Sequence, residues 1–233
     1  MQIPPLTMAT ADHLTSGATT DREKLERIFM FVRDEILFGF PTKGDFVPAS
    51  ETIKTGVGQC NTKAALGLTL CRACGIPARI HFSLISKDIQ RGFFSGLAYW
   101  LLPQEISHSR IEVEIEGTWR RIDSFINDMP LHQAAECELA RRGWKVEFSL
   151  ALINVHAGAD LNIDKEVLAQ MAAVTDDHGV WDEAADYYDS ALYHNRPDLW
   201  RMLAYWLMIG RVNRRVKQLR KGQARHATAR DGS

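Results

Sequence analysis

The hydrophobic positions near the start of the chain predict a helix followed by a long connection. Thr20 and Glu23 have the spacing of a capping box, in which each side chain bonds the other residue's backbone N–H. Apolar residues then recur at helical spacing, at Leu25, Ile28, Phe29, Val32 and Ile36. Residues 39–57 contain several prolines and glycines, so they predict a long loop that leads to the next element. Long loops in compact domains are often functional.

The next segment predicts a buried helix followed by a strand. Small and apolar residues trace one helical face at Ala64, Gly67, Leu68 and Cys71. Gly75 and Pro77 then end this helix. From residue 78 to residue 85, apolar side chains alternate with polar ones, which is typical of a half-buried strand. His81 lies in this strand without a partner motif, so we expect it to have a structural role.

Two further apolar runs predict a β-hairpin. The apolar face of its first strand consists of Ile111, Val113 and Ile115. A two-residue turn at Glu116-Gly117 would set Arg110 opposite Asp123. His108 then lies two positions from Arg110 on the same face, and such diagonal neighbours have Cα atoms roughly 7–8 Å apart. This register predicts that His108 and Asp123 are close enough for an imidazole–carboxylate hydrogen bond.

The last hundred residues change to a mainly helical pattern. Helices are predicted at residues 131–142, 164–175, 181–193 and 198–219, with a strand or loop at 143–148. We therefore expect a core over residues 1–130 and a mainly helical extension over residues 131–233. The tail from Arg211 to Arg230 is rich in arginine and lysine and has no acidic residue. This composition favours a solvated helix end over an interaction tail.

Composition and charge limit the possible functions. The chain has 233 residues and is 45% hydrophobic, which is typical of a globular protein that buries a sizeable core. Its formal net charge of −1 argues against an affinity for nucleic acid or for an anionic membrane. No basic region followed by an apolar stretch begins the chain, so we expect a cytoplasmic location. The oligomeric state stays open.

No pattern in the sequence predicts a metal site or a cofactor. Cys71 and Cys74 form a C-x-x-C pair, but the pair falls at a helix end, whereas a redox pair needs its first thiol at a helix start. A zinc site would need two more ligands at matching spacing. We interpret both cysteines as packing residues. The acidic residues within 176–183 lack the alternating ligands of a calcium loop.

Cys60 is the strongest candidate for chemistry. It falls at the first turn of the predicted buried helix, where unpaired N–H groups and the helix dipole favour a thiolate. His108 opens the first strand of the hairpin, and Asp123 closes the second. Cysteine, histidine and aspartate are residue types that can serve as the nucleophile, the general base and the group that orients the base, respectively.

At these residues the chain resembles the transglutaminase-like superfamily of papain-like cysteine enzymes, in its bacterial stand-alone form. The shared motifs are Gly58-Gln59-Cys60 at a helix start, the helix exit Gly75-Ile76-Pro77-Ala78-Arg79, His108 at a strand start, the hairpin Gly117-Thr118-Trp119, and Asp123 at the next strand end. The resemblance begins at about residue 32 and fades after about residue 127. It implies an α+β fold in which a central helix packs on an antiparallel sheet.

The resemblance also implies a reaction and a set of catalytic residues. Cys60 would attack an amide or thioester carbonyl, as in a peptide, amide or acyl-thioester substrate, while His108 moves the proton and Asp123 holds the ring. The backbone N–H of Cys60 and a second donor, with Gln59 as a candidate, would face the oxyanion. We expect hydrolysis, because an amine competes with water at roughly 55 M only through a specific site. An acyltransferase and a catalytically weakened module that binds a peptide or carrier are the alternatives.

Arg110 departs from the family pattern, which usually has an aromatic residue two positions after the histidine. A guanidinium on the His108 face would suit a carboxylate or phosphate of the substrate. An internal ion pair with Asp123 or Glu112 is an equal alternative. Asn61 also departs from animal transglutaminases, which have tryptophan after the cysteine, so cross-linking activity is not implied.

Overall fold

The computed structural model describes residues 3–152, 158–196 and 198–230, in which helices and strands are interspersed. The helices are α1 (Pro5–Thr15), α2 (Asp21–Met30), α3 (Ala49–Thr55), α4 (Cys60–Ala73), α5 (Leu97–Trp100), α6 (Met129–Arg142), α7 (Ala184–Asp189) and α8 (Leu199–Arg230). The strands are β1 (Leu37–Phe38), β2 (Val57–Gly58), β3 (Ala78–Ser86), β4 (Glu105–Ile115), β5 (Thr118–Ile122), β6 (Val146–Glu147), β7 (Leu150–Ala151) and β8 (Val174–Trp181).

The main sheet is antiparallel and has the strand order β5-β4-β3-β8. The β4–β5 turn is formed by Glu116 and Gly117, which both have positive φ, as the tightest hairpin turns require. Ile111 pairs with Ile122, so the same register continued by one residue sets Arg110 opposite Asp123. The predicted hairpin and its register are confirmed.

Helix α4 lies at the centre of the fold and packs on β4. Its residues Leu66, Leu68 and Leu70 are buried. A Cβ added at Gly67 would lie 3.3 Å from Cδ1 of Ile111, so the glycine allows helix and strand to approach closely. Helices α1 and α2 also pack against α4. The α+β fold with a central helix on an antiparallel sheet is confirmed.

The predicted start of α2 is also confirmed, because Thr20 and Glu23 form both hydrogen bonds of the capping box. The helical pattern predicted to continue to Ile36 ends instead in a π-helical turn, Phe31–Glu35.

Strand β8 is the main departure from the predicted secondary structure. The helices expected at 164–175 and 181–193 are wrong: residues 174–181 form β8, and α7 covers only Ala184–Asp189. Because β8 pairs with the edge of β3, a partner distant in sequence overrides the local pattern. The helices predicted at 131–142 and 198–219 are confirmed as α6 and α8. The division at residue 130 stays a prediction.

Helix α8 is bound to the core by side chains that hydrogen-bond Asp128 and the backbone of residues 38–40. Arg220 donates to both carboxylate oxygens of Asp128 and to the carbonyl of Phe38. Asn213 exchanges two hydrogen bonds of 2.8 Å with the backbone of Phe40. The basic run predicted to be solvated is therefore partly used for internal contacts. No helix in the described ranges has both the length and the apolar character that crossing a bilayer requires.

Candidate active site

Cys60 is the first residue of α4 and lies on the wall of a cleft of about 780 Å³. The turn before it is closed by the Gln59 backbone N–H, which donates to Oγ1 of Thr62 at 2.9 Å. The Cys60 side chain is buried, with 6% of the residue exposed. The local sequence therefore places the sulfur at a helix start, as predicted, and beside a space that can hold a substrate.

The Cys60 thiol is protonated at neutral pH in this arrangement. Burial and, after it, the nearby Asp45 carboxylate raise the pKa of Cys60 to about 12. Backbone N–H groups of Asn61, Ser109 and Cys60 itself lower this pKa, but burial outweighs them. The helix-terminus effect predicted from the sequence is present, but here it does not produce a thiolate.

His108 is fully buried on β4. Neither ring nitrogen has a hydrogen-bond partner among the described residues. Burial and, after it, the positive charge of nearby Arg110 lower the pKa of His108 to about 3, so the ring is neutral. The adjacent backbone N–H of Ser109 reaches the Cys60 thiol. His108 is next in the chain to this contact, but neither His108 nor Asp123 is among the residues that line the Cys60 cleft, and the structure shows no hydrogen bond between the His108 ring and the thiol.

Asp123 is fully buried and is held by the C-terminal part of the chain. Its carboxylate accepts backbone N–H bonds from Ala169 at 2.6 Å and from Gln170 at 2.9 Å. Burial raises the pKa of Asp123 to about 6, against the effect of these two bonds. The structure therefore brings the strand positions of His108 and Asp123 together, but it does not join their side chains by a hydrogen bond. The sequence showed no signal for the two backbone donors.

Arg110 is buried in a charged cluster on the sheet. Its Nη2 lies 2.9 Å from Nδ1 of His81 and 3.4 Å from Oε1 of Glu112. The other ring nitrogen of His81 lies 2.5 Å from Asp177. Of the two internal partners considered for Arg110, Asp123 and Glu112, the structure shows the pair with Glu112. Arg110 is not among the residues that line the Cys60 cleft, and its substrate-binding role stays a prediction.

Gln59 and Asp45 lie beside Cys60 in the cleft. Nε2 of Gln59 donates to Asp45 at 2.5 Å, and the Tyr193 hydroxyl donates to the other carboxylate oxygen at 2.9 Å. Burial raises the pKa of Asp45. Sequence reasoning missed Asp45, although it lies in the long loop that was expected to be functional.

Asn195 covers the edge of β4 next to Cys60. Its side-chain amide donates to the Glu105 carbonyl at 3.1 Å, and its side-chain oxygen accepts the Ser107 N–H at 2.5 Å. Asn61 donates to the Ser107 carbonyl at 3.3 Å. The free edge of β4 beyond the β5 pairing is thereby occupied by side chains.

The described residues contain no group of three or more His, Cys, Asp or Glu side chains arranged to hold a metal ion.

Comparisons with known proteins give one family and two distant structures. No curated protein matches the chain. A crystal structure of a candidate cysteine protease from Cytophaga hutchinsonii is 22% identical over 50% of this chain and 35% of that one, with a TM-score of 0.39. The structure of a candidate protease from Parabacteroides distasonis is 15% identical over 50% of this chain and 22% of that one, with a TM-score of 0.37. The matched region is therefore about a third or less of each of these proteins.

The family model described as the transglutaminase-like superfamily matches residues 8–124, which is half of the chain. This range contains Cys60 at the start of α4, His108 on β4 and Asp123 directly after β5. The chain therefore belongs to the transglutaminase-like superfamily.

Proposed function

We propose that this protein is a cysteine-dependent hydrolase that forms an acyl-enzyme at Cys60. Membership of the superfamily supports a thiol-dependent enzyme in general. The observation that carries the proposal is the position of Cys60, at a helix start and on the wall of a large cleft. A buried cysteine with only a packing role would not need access to such a space.

The reaction begins when Sγ of Cys60 attacks the carbonyl carbon of an amide or thioester. The thiol proton passes to His108 and then to the leaving amine or thiol. Water next attacks the carbonyl carbon of the acyl-enzyme and gives a proton to His108. The carbon–sulfur bond breaks, and His108 returns the proton to Sγ of Cys60 as the carboxylic acid leaves. Asp123 positions the imidazole. The N–H of Cys60 and a second donor, Gln59 or the Ser109 N–H, stabilise the oxyanion.

The proposed reaction requires the His108 ring to meet Cys60. Catalytic hydrogen bonds are often long or misaligned without substrate and tighten in the complex. A neutral imidazole with two unpaired nitrogens loses no hydrogen bond when it turns. Transfer of the Cys60 proton to His108 then creates two opposite charges at contact distance, which stabilise each other in a buried site.

A second candidate is a module that binds a peptide or carrier without efficient turnover. The raised pKa of Cys60 and the unpaired ring of His108 favour it. A third, amide formation with an amine acceptor, shares the acyl-enzyme and differs only in the group that attacks it. We favour water, because an amine at millimolar concentration needs a dedicated site to compete with it.

Turnover of a panel of peptide amides and acyl thioesters tests the proposal. Cys60→Ala should reduce turnover by about 10⁶-fold, as expected for loss of a nucleophile. Cys137→Ala, at an exposed cysteine on α6, is the matched control and should retain turnover. Wild-type turnover in Cys60→Ala would exclude Cys60 as the nucleophile. If the products at millimolar amine were mostly amine conjugates, acyl transfer rather than hydrolysis would be the reaction. Tight binding without turnover would favour the binding module.

A further inference from the structure

The cleft beside Cys60 divides into a polar end and an apolar end. Next to the thiol, Asp45 accepts hydrogen bonds from Gln59 and from Tyr193. The rest of the lining is largely apolar and comes from the loop after β1, from α5 with the residues that follow it, and from α8. Apolar lining residues there include Phe40, Phe94, Ala98, Leu102, Ala204 and Met208.

We infer that the acyl group carried to Cys60 is a long, unbranched apolar chain that lies between α5 and α8. This inference rests on the proposed acyl-enzyme at Cys60. The carbonyl would lie at the polar end, and the chain would extend along the apolar walls. A volume of about 780 Å³ falls within the 300–1,000 Å³ range of small-molecule sites and exceeds what one amino-acid side chain needs.

The walls of the cleft fit such a chain better than an extended peptide. A peptide that adds to a sheet edge needs free backbone N–H and C=O groups. At β4, the Ser107 N–H and the Glu105 carbonyl are already bonded to Asn195, and the Ser107 carbonyl to Asn61. In the helical wall formed by α8, the backbone groups bond within the helix. What the cleft offers away from Cys60 is therefore mainly apolar contact.

The rim of the cleft combines exposed apolar side chains with the cationic side chains of Lys43 and Arg201. Leu101, Trp200 and Met202 line the cleft while 44%, 79% and 49% exposed. Large apolar side chains grouped at an opening are unusual on a free surface and mark a binding site. They would cover the far end of a chain that is longer than the cleft is deep.

An acyl thioester is the simplest donor for this site. Sγ of Cys60 forms a bond to the carbonyl carbon, the carbon–sulfur bond of the donor breaks, and the proton lost by Cys60 ends on the leaving thiol. Each methylene group of the chain that enters the cleft should raise kcat/KM by about fourfold, from the ~0.8 kcal/mol gained on burying one. The increase should stop when the cleft is full.

Thioesters of N-acetylcysteamine with acetyl, butyryl, octanoyl and dodecanoyl groups test this inference with the full chain. We expect kcat/KM to rise steeply from acetyl to octanoyl. Ala204→Trp places a large side chain in the apolar wall and should reduce the octanoyl-to-acetyl ratio of kcat/KM at least tenfold. Ala140→Trp, at an exposed position on α6, is the matched control and should keep the wild-type ratio.

Binding to Cys60→Ala gives a readout that does not depend on turnover. Calorimetry with octanoate and dodecanoate should show tighter binding for the longer chain, and Ala204→Trp in the same background should weaken both. Equal kcat/KM for acetyl and octanoyl donors, or a preference for peptides, would overturn the apolar-chain inference. The proposed function would still stand if that turnover depended on Cys60. Turnover that survives Cys60→Ala would instead overturn the proposed function, and length-independent binding would still overturn the inference.

Discussion

The two halves of the candidate site differ in how the chain builds them. Cys60, His108 and Asp123 come from α4, β4 and the end of β5, within the region that matches the family. The opposite half comes from the C-terminal part, through Asn195 and helix α8. The first half is set by local patterns of helix start and strand alternation. The second half is held by single side-chain hydrogen bonds to strands, to a loop and to the Asp128 carboxylate, so its stability depends on individual contacts.

This difference suggests that the chemistry and the shape of the cleft can be separated by mutation. Changes in the C-terminal half should loosen the cleft wall and cost stability, whereas changes in the first half should mainly affect reactivity. Asp123 is the residue where the two halves meet, because its carboxylate belongs to the first half and its two N–H donors to the second.

The largest stability effect should come from Arg220→Met. This change removes the partner of Asp128, a fully buried carboxylate that caps α6, and breaks a contact that binds α8 to the core. Breaking one side of a buried ion pair costs about 3–5 kcal/mol. Arg214→Met, at an exposed position on the same helix, should change the free energy of unfolding by less than about 0.5 kcal/mol. Equal effects of the two substitutions in urea unfolding would show that the pair does not anchor α8.

Asp123→Asn should change how stability depends on pH. The pKa of Asp123 is raised in the folded state, to about 6 from its ordinary 3.8, so folding favours the protonated carboxyl. This contribution is fully present below about pH 4 and is lost as pH rises through about 6, for a total of about 3 kcal/mol. As pH rises from about 4 to about 6, the free energy of unfolding of the wild type should therefore fall relative to that of Asp123→Asn.

The same substitution should reduce turnover without abolishing it, by up to about 10⁴-fold, because the proposed mechanism uses the Asp123 carboxylate to orient the imidazole. A pH-independent stability difference would show that the Asp123 carboxyl titrates normally in the folded protein. Unchanged turnover would remove Asp123 from the catalytic set.

Asn195→Ala should have the smallest effect. It removes two hydrogen bonds to the edge of β4, each worth about 1 kcal/mol, and water can replace part of them because the residue lies at the cleft. We expect a loss of about 1–2 kcal/mol in the free energy of unfolding, measured in urea. A loss as large as that of Arg220→Met would mean that the Asn195 contact, rather than Arg220, holds the C-terminal half in place.

The sequence predicted the elements whose signals are local. The capping box at Thr20, the end of the central helix near Gly75 and the turn at Glu116 depend on neighbouring residues, and the register of β4 and β5 follows from that turn. Cys60 was found for the same reason, since a helix start is visible in the sequence.

The features that the sequence did not predict depend on distant residues. β8 forms a strand because the edge of β3 is available to it, which no local pattern reveals. The N–H donors to Asp123 lie 46 and 47 residues away. The pKa of Cys60 was expected to fall at a helix start, but the packing around it, including Asp45 from the preceding loop, raises it. The pKa of a buried group depends on the final packing around it, so the position of Cys60 at a helix start was insufficient to predict its pKa.

The central claim is that Cys60 carries the acyl group and that His108 acts as its base. Locating the acyl group after a rapid acid quench tests this claim most directly. Wild type and His108→Asn would be mixed with an acyl thioester, quenched within the first turnover, and mapped by peptide mass spectrometry. The account predicts an acyl group on the peptide that contains Cys60, formed at least about 10²-fold more slowly in His108→Asn, as expected for loss of a general base. An acyl group on another residue, or equal acylation rates in the two proteins, would contradict it.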